Sequence, residues 1–157
     1  MGRTARLGYC LAQPPVRYSW MMRPPYALFR TMRADADGLP VVGREFSMLG
    51  VRISGSLPDI RVLDDGTIKP EAGGMSVFID PRKMPKSLRP RTLKEKPGES
   101  PYPCFRIDEA KLPMVLVFRK DKDYHGLVEP RAQCAIEDYE AQLGATRVEW
   151  KVAYAAP

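Results

Sequence analysis

The sequence predicts an α+β fold: several short strands, one amphipathic helix near the C-terminus, and long irregular connections. Three observations carry this. Sixteen prolines spread along 157 residues break the chain into short elements and argue against a helical bundle. Apolar residues alternate with polar ones in several short runs, the period of a strand with one buried face. Only Ala132, Ala135, Ile136, Tyr139 and Leu143 recur at three- and four-residue steps, the spacing of one helix face. A chain of this length supplies about one domain with one sizeable core.

Taken in order, residues 1–25 hold Pro14-Pro15 and Pro24-Pro25, lack periodicity, and read as an irregular arm. Tyr18 and Trp20 are its anchors on a single domain spanning 26–157. Tyr26 to Met32 is the first strand, with Ala27, Phe29 and Thr31 on one face and Leu28, Arg30 and Met32 on the other. Asp35 to Pro40 is a loop around Asp37-Gly38. Val41 to Ile53 fits one helical turn or two short strands, and Gly50 disfavours a long helix. Arg61-Val62-Leu63 and Thr67-Ile68 flank a hairpin corner at Asp65-Gly66. "KPEAGGMSVF", residues 69–78, places two glycines before the strand Met75–Phe78.

Arg82 to Pro103 is a long basic loop, of a length that is usually functional or disordered. "FRI" from Phe105 and "MVLVFR" from Met114 are strands, the second apolar enough for the middle of a sheet. Lys120 to Asp123 is a polar turn, and "YHGLVEP" from Tyr124 is a further strand. Pro130 opens the helix, where its missing N–H costs nothing, and Gly144 ends it. The last strand places Val148, Trp150 and Val152 on one face. No internal repeat is present.

The net charge of +6 favours anionic partners without specifying which. Residues 1–34 contain Arg3, Arg6, Arg17, Arg23, Arg30 and Arg33 and no acid; the block 82–96 sets seven cations against Glu95 alone. That block reads either as a solvated loop or as a dock for an acidic protein or nucleic acid. Cys10, Cys104 and Cys134 are widely spaced and His125 is the only histidine, so a zinc site is not expected. The odd cysteine count points to reduced thiols in the cytosol, with one disulfide plus a free thiol as the alternative. No apolar run reaches the roughly 20 residues of a membrane span. The apolar stretch Leu7–Ala12 is too short for a signal-peptide core, and an arginine-rich transit peptide is a weak match.

Three landmarks occur in order: "LFR" on the first strand, "DDGTIKPEAGGMSVF", and "DYHGLVEP" leading into a helix. Together they resemble the small ADP-ribosyltransferase-like toxins of the type VI secretion exported-effector-two group. Those show a LYR-like strand, a DG-x-x-x-P-x-x-GG-x-SVF segment and an H-x-x-x-x-P step. The likeness spans roughly residues 28–143, and GG-x-SVF is its specific part. It implies a split antiparallel β-sheet with few helices and long loops, and NAD as cofactor. It also implies toxicity in the cytoplasm of a target bacterial cell and neutralisation by a cognate immunity protein.

ADP-ribose transfer breaks the nicotinamide–ribose bond through a cation-like transition state. It calls for a cationic pyrophosphate clamp, a floor under the nicotinamide and a carboxylate near the ribose. On the resemblance, Arg30 is the clamp, since a guanidinium pairs with phosphate in a bidentate way; otherwise it snorkels at a strand edge. Ser76 orients Arg30 or bonds a ribose hydroxyl, against the alternative of an ordinary strand serine. Gly73 and Gly74 admit the ligand to the backbone, or simply make a turn. His125 serves proton transfer or hydrogen bonding, and Tyr124 stacks on the ligand; the alternative for both is structural packing.

Late-strand glutamates are common in ADP-ribosyltransferases, and Glu129 is the residue here that would take that part, although the family pattern requires no acid before Pro130. The alternative is a solvated acid beside a helix N-terminus. Met75 replaces the threonine that the family often has before its serine, which puts NAD handling in question. Two further readings compete: a non-enzymatic basic module binding nucleic acid or the ribosome, and a family member that keeps the fold without catalysis. The 82–96 block has no aromatic residue and so lacks a stacking platform for single strands. Expression in unprotected bacteria is expected to stop growth, and Arg30→Ala or Ser76→Ala to relieve the arrest. Equal toxicity of all three chains would refute this site.

Overall fold

A computed structural model describes residues 23–157. Most of the expected arm, with Cys10, Tyr18 and Trp20, therefore lies outside the described residues. The strands are β1 (Ala27–Thr31), β2 (Thr67–Ile68), β3 (Met75–Phe78), β4 (Cys104–Asp108), β5 (Leu116–Lys122), β6 (His125–Pro130), β7 (Cys134–Ala135) and β8 (Lys151–Tyr154). One α-helix, α1 (Ile136–Ala145), joins them, with three short 3-10 turns. Six strands form an antiparallel sheet in the order β5-β6-β3-β1-β4-β8, and β2 pairs with β7 in a separate ribbon. The fold is α+β. None of its described helices is long and apolar enough to cross a membrane.

Alternation along each strand gives the sheet two differently covered faces. Leu28, Met75, Val77, Phe105, Ile107 and Val128 point to one face, where Ile136, Tyr139 and Leu143 of α1 meet them. Leu49, Val51 and Ile60 from the connection between β1 and β2 complete this core. Burying each such side chain contributes roughly 2 kcal/mol. Tyr139 also brings a polar tip: its hydroxyl donates to the Val128 carbonyl at 2.6 Å and accepts the Met75 N–H at 3.1 Å. It thereby ties the ends of β3 and β6 together.

The other face carries Phe29, Thr31, Ser76, Phe78 and His125, and the basic segment folds over part of it. Met84 and Leu93 are buried there, and the Thr31 hydroxyl donates to the Leu88 carbonyl at 2.6 Å. Asp80 caps the turn Pro81–Lys83 and pairs with Arg82, while Lys86 pairs with Glu99. Arg89 is 7% exposed and reaches the carbonyls of Arg82, Met84 and Pro97. The block 82–96 is therefore a folded cover and not a solvated loop. Beneath it burial pushes the Cys104 thiol up to about 12, so that sulfur stays protonated. Cys104 and Cys134 form no disulfide among the described residues.

Several local expectations change. The apolar run at 114–119 lies at the edge of the sheet, with Met114 and Val115 exposed, and β5 continues through Lys122. Pro130 ends β6 opposite Leu116 instead of opening the helix. Cys134 and Ala135 pair with Ile68 and Thr67, and this delays α1 until Ile136. The Asp65-Gly66 corner forms, with Gly66 at φ 79°, yet Thr67–Ile68 takes its strand partner from β7. Val41–Ile53 is neither helix nor strand pair; a single bridge, Val42 to Leu49, closes it. A 3-10 turn at Arg147–Glu149 breaks the final alternation, burying Trp150 while Val148 and Val152 stay exposed.

Tyr139→Phe is expected to lower unfolding free energy by about 1–3 kcal/mol, because a buried donor and acceptor both lose their partner. Denaturant titration measures this, and unchanged stability would refute the role assigned to the hydroxyl.

Candidate functional site

β1 pairs with β4 along its whole length, from Ala27 opposite Asp108 to Thr31 opposite Cys104. With β3 it shares only the pair Phe29–Phe78. Beyond that pair the Arg30 guanidinium, rather than a strand ladder, spans the two strands. Nη1 donates to the Ser76 carbonyl at 2.7 Å and Nη2 to the Phe46 carbonyl at 2.9 Å. Nε and Nη2 also reach the Met48 carbonyl at 3.3 and 3.2 Å. Burial pushes the Arg30 pKa down to about 10, which leaves it charged at neutral pH.

Arg30 is 8% exposed, and the crevice it lines with Phe46, Ser76 and Leu88 measures about 30 Å³. That is space for water, not for a dinucleotide. Arg30 and Ser76 do meet, but through the serine carbonyl. By alternation their side chains belong to opposite faces of the sheet.

The Ser76 hydroxyl's face opens onto a cleft of about 540 Å³, within the ~300–1,000 Å³ range of small-molecule sites. Ser76, Phe78 and His125 form its floor; Phe78 and His125 are directly opposite in the β3–β6 register. Lys83, Pro85 and Leu88 of the basic segment form one wall, and Lys122, Asp123 and Tyr124 at the β5–β6 turn form the other. Ser76, Phe78 and Leu88 also line the crevice, so the Arg30 pocket adjoins this cleft.

The His125 ring packs edge-on against Phe78, centroids 5.0 Å apart, and its Nδ1 lies 2.6 Å from Asp121 Oδ1. Lys83 Nζ sits 4.9 Å from the centre of the Tyr124 ring. Cations, a hydroxyl, an imidazole and two aromatic rings thus converge on one cavity.

Ser76, Tyr124 and His125 are brought together; Gly73, Gly74 and Glu129 are not part of the lining. The glycines touch their own chain. Gly73, at φ 117°, pairs with Ile60, and a Cβ there would collide with the Asp59 carbonyl oxygen. A Cβ on Gly74 would meet the Val128 oxygen at 2.5 Å. Glu129 is a buried strand residue, not a solvated loop acid: it is 3% exposed and both its oxygens accept from Arg119 Nε at 3.0 Å. Lys83, Lys122, Phe78 and Asp121 escaped the sequence reading. Lys83 sat within a basic block and Asp121-Lys122 within a presumed turn, with no local pattern to separate them from solvated charges. No protein-family model and no curated protein matches the chain.

Arg30→Met would leave the three carbonyls without their cation and is expected to cost about 3 kcal/mol or more. Arg30→Lys should not restore it, since one ammonium lacks the planar fork. Stability of Arg30→Met equal to the parent, by denaturant unfolding, would show that the guanidinium is not what joins these segments.

Proposed function

We propose that the cleft binds NAD and that the chain is an antibacterial effector with ADP-ribosyltransferase-like chemistry, modifying a macromolecule in the cytoplasm of a target cell. The observation that carries this is the composition of the cleft. Two lysines, Lys83 and Lys122, line an opening that also holds aromatic rings, a hydroxyl and an imidazole. Lys83 and Lys122 enter no ion pair among the described residues. Unpaired cations flanking a cavity suit a pyrophosphate, and Phe78 and Tyr124 offer faces or edges to a flat ring.

The ordered motifs around Arg30, Gly73-Gly74-x-Ser76 and His125 support the same reading, with one change of role. The lysines clamp the phosphates, while Arg30 holds the floor in place. Ser76 and His125 then stand at the ribose, where a hydroxyl can bond the sugar and an imidazole can take a proton. A cognate immunity protein belongs to this proposal. The basic block gives less support to a nucleic-acid module, because Arg82 and Lys86 are paired with acids and Arg89 is buried.

Calorimetric titration with NAD is expected to show binding that Lys83→Ala/Lys122→Ala weakens at least ~10-fold, the loss of about one charge-assisted hydrogen bond. Mass spectrometry of a lysate incubated with the chain and NAD should reveal an ADP-ribose adduct. Binding without an adduct would mark a chain that kept the cleft and lost catalysis. Unchanged affinity in the double variant would reject the site.

A further inference from the structure

We propose that Asp121 is the positioning residue of this cleft, fixing His125 as the group that accepts the proton when ADP-ribose is transferred. The reaction rests on the NAD reading above; the Asp121–His125 arrangement does not. The pairing of β5 with β6 is regular from Leu116–Pro130 to Lys120–Gly126 and then jumps to Lys122–His125. Asp121 is the residue left over by that bulge. A bulge re-aims one side chain out of the pleat, and such features gather beside functional sites. Here the displaced carboxylate lands 2.6 Å from His125 Nδ1. The imidazole is held from a second direction by the Phe78 ring. Gly126, next along, has no room for a side chain, because a Cβ would collide with the Phe118 ring and lie 2.6 Å from the Arg119 carbonyl oxygen. The strand that carries His125 is therefore packed tightly against β5 beside the bulge.

A carboxylate on Nδ1 assigns the proton to that nitrogen in the neutral ring, which leaves the Nε2 lone pair as the acceptor. The balance of the step is then simple. The bond between ribose C1′ and the nicotinamide nitrogen breaks, and its electron pair leaves with neutral nicotinamide. A new bond forms from C1′ to the oxygen or nitrogen of an acceptor bearing an O–H or N–H. The acceptor's proton moves to Nε2, and the resulting imidazolium is balanced by Asp121. No oxidant or reductant is required.

His125 is the chain's only histidine, so its signals in a long-range proton–nitrogen NMR spectrum are unambiguous. In the full chain the neutral ring is expected to show an Nδ1–H tautomer. Asp121→Ala should shift it to the Nε2–H form that dominates in free histidine, while Asp121→Asn, which keeps an acceptor oxygen, should retain Nδ1–H. Asp121→Ala should also slow adduct formation about 10²-fold, with NAD affinity changed less than twofold. An Nε2–H ring in the parent chain, or a spectrum indifferent to Asp121→Ala, would overturn the proposal. An Nδ1–H ring in a parent chain that does not bind NAD would uphold Asp121's hold on His125 and reject the ligand. A tautomer that shifts in Asp121→Ala with no loss of adduct rate would overturn the catalytic part.

Discussion

A buried guanidinium without a carboxylate is the interaction on which the architecture of the site depends. Removing a charge from water is costly, and it is tolerated only when the remaining donors are well occupied. Arg30 meets that condition with main-chain oxygens from three residues in two segments, Phe46 and Met48 in the long connection and Ser76 in β3. The guanidinium spreads its donors over three nitrogens, so it reaches carbonyls farther apart than the single ammonium nitrogen of a lysine can. The result fixes the connection against the sheet and holds the main chain of Ser76, whose side chain is then free to face the other way. The hydroxyl and the guanidinium are coupled, but through a peptide bond.

That division continues across the sheet. One face is largely apolar and closed by α1; its polar insertions are the Arg30 guanidinium and the Tyr139 hydroxyl between β3 and β6. The opposite face is divided between a folded basic cover and an open cleft. The cover is held partly by its own charges, through Asp80–Arg82, Lys86–Glu99 and the interior Arg89, and partly by Met84 and Leu93. What it leaves uncovered is the strip where Ser76, Phe78 and His125 lie side by side. Glu129 lies two residues beyond Leu127 on the same strand, but its neutralising contact with Arg119 removes it from that strip.

The sequence announced the pieces whose signal is local. Alternation located β1, β3, β4 and β6 and assigned Leu28, Arg30 and Met32 to one face, because the period of two is enforced by the backbone itself. The helix face around Ile136, Tyr139 and Leu143 was equally legible. What failed depended on distant partners. Pro130 looked like a helix start, and it is the pairing of Cys134–Ala135 with Thr67–Ile68 that decides otherwise. The most apolar strand looked central and lies at an edge. In the site, Ser76, Tyr124 and His125 were visible through a motif, whereas Lys83 and Asp121 acquire meaning only from a cover folding back and a bulge. Such placements leave no periodic trace.

The floor of the cleft and the contact between its two walls differ in how firmly they are held. The floor belongs to paired strands, whereas Lys83 and Tyr124 meet through a cation–π contact of about 0.5–1 kcal/mol. A difference that small is comparable to thermal energy. The contact between Lys83 and Tyr124 can therefore be exchanged for another of similar strength without touching the strand register that aligns Ser76, Phe78 and His125.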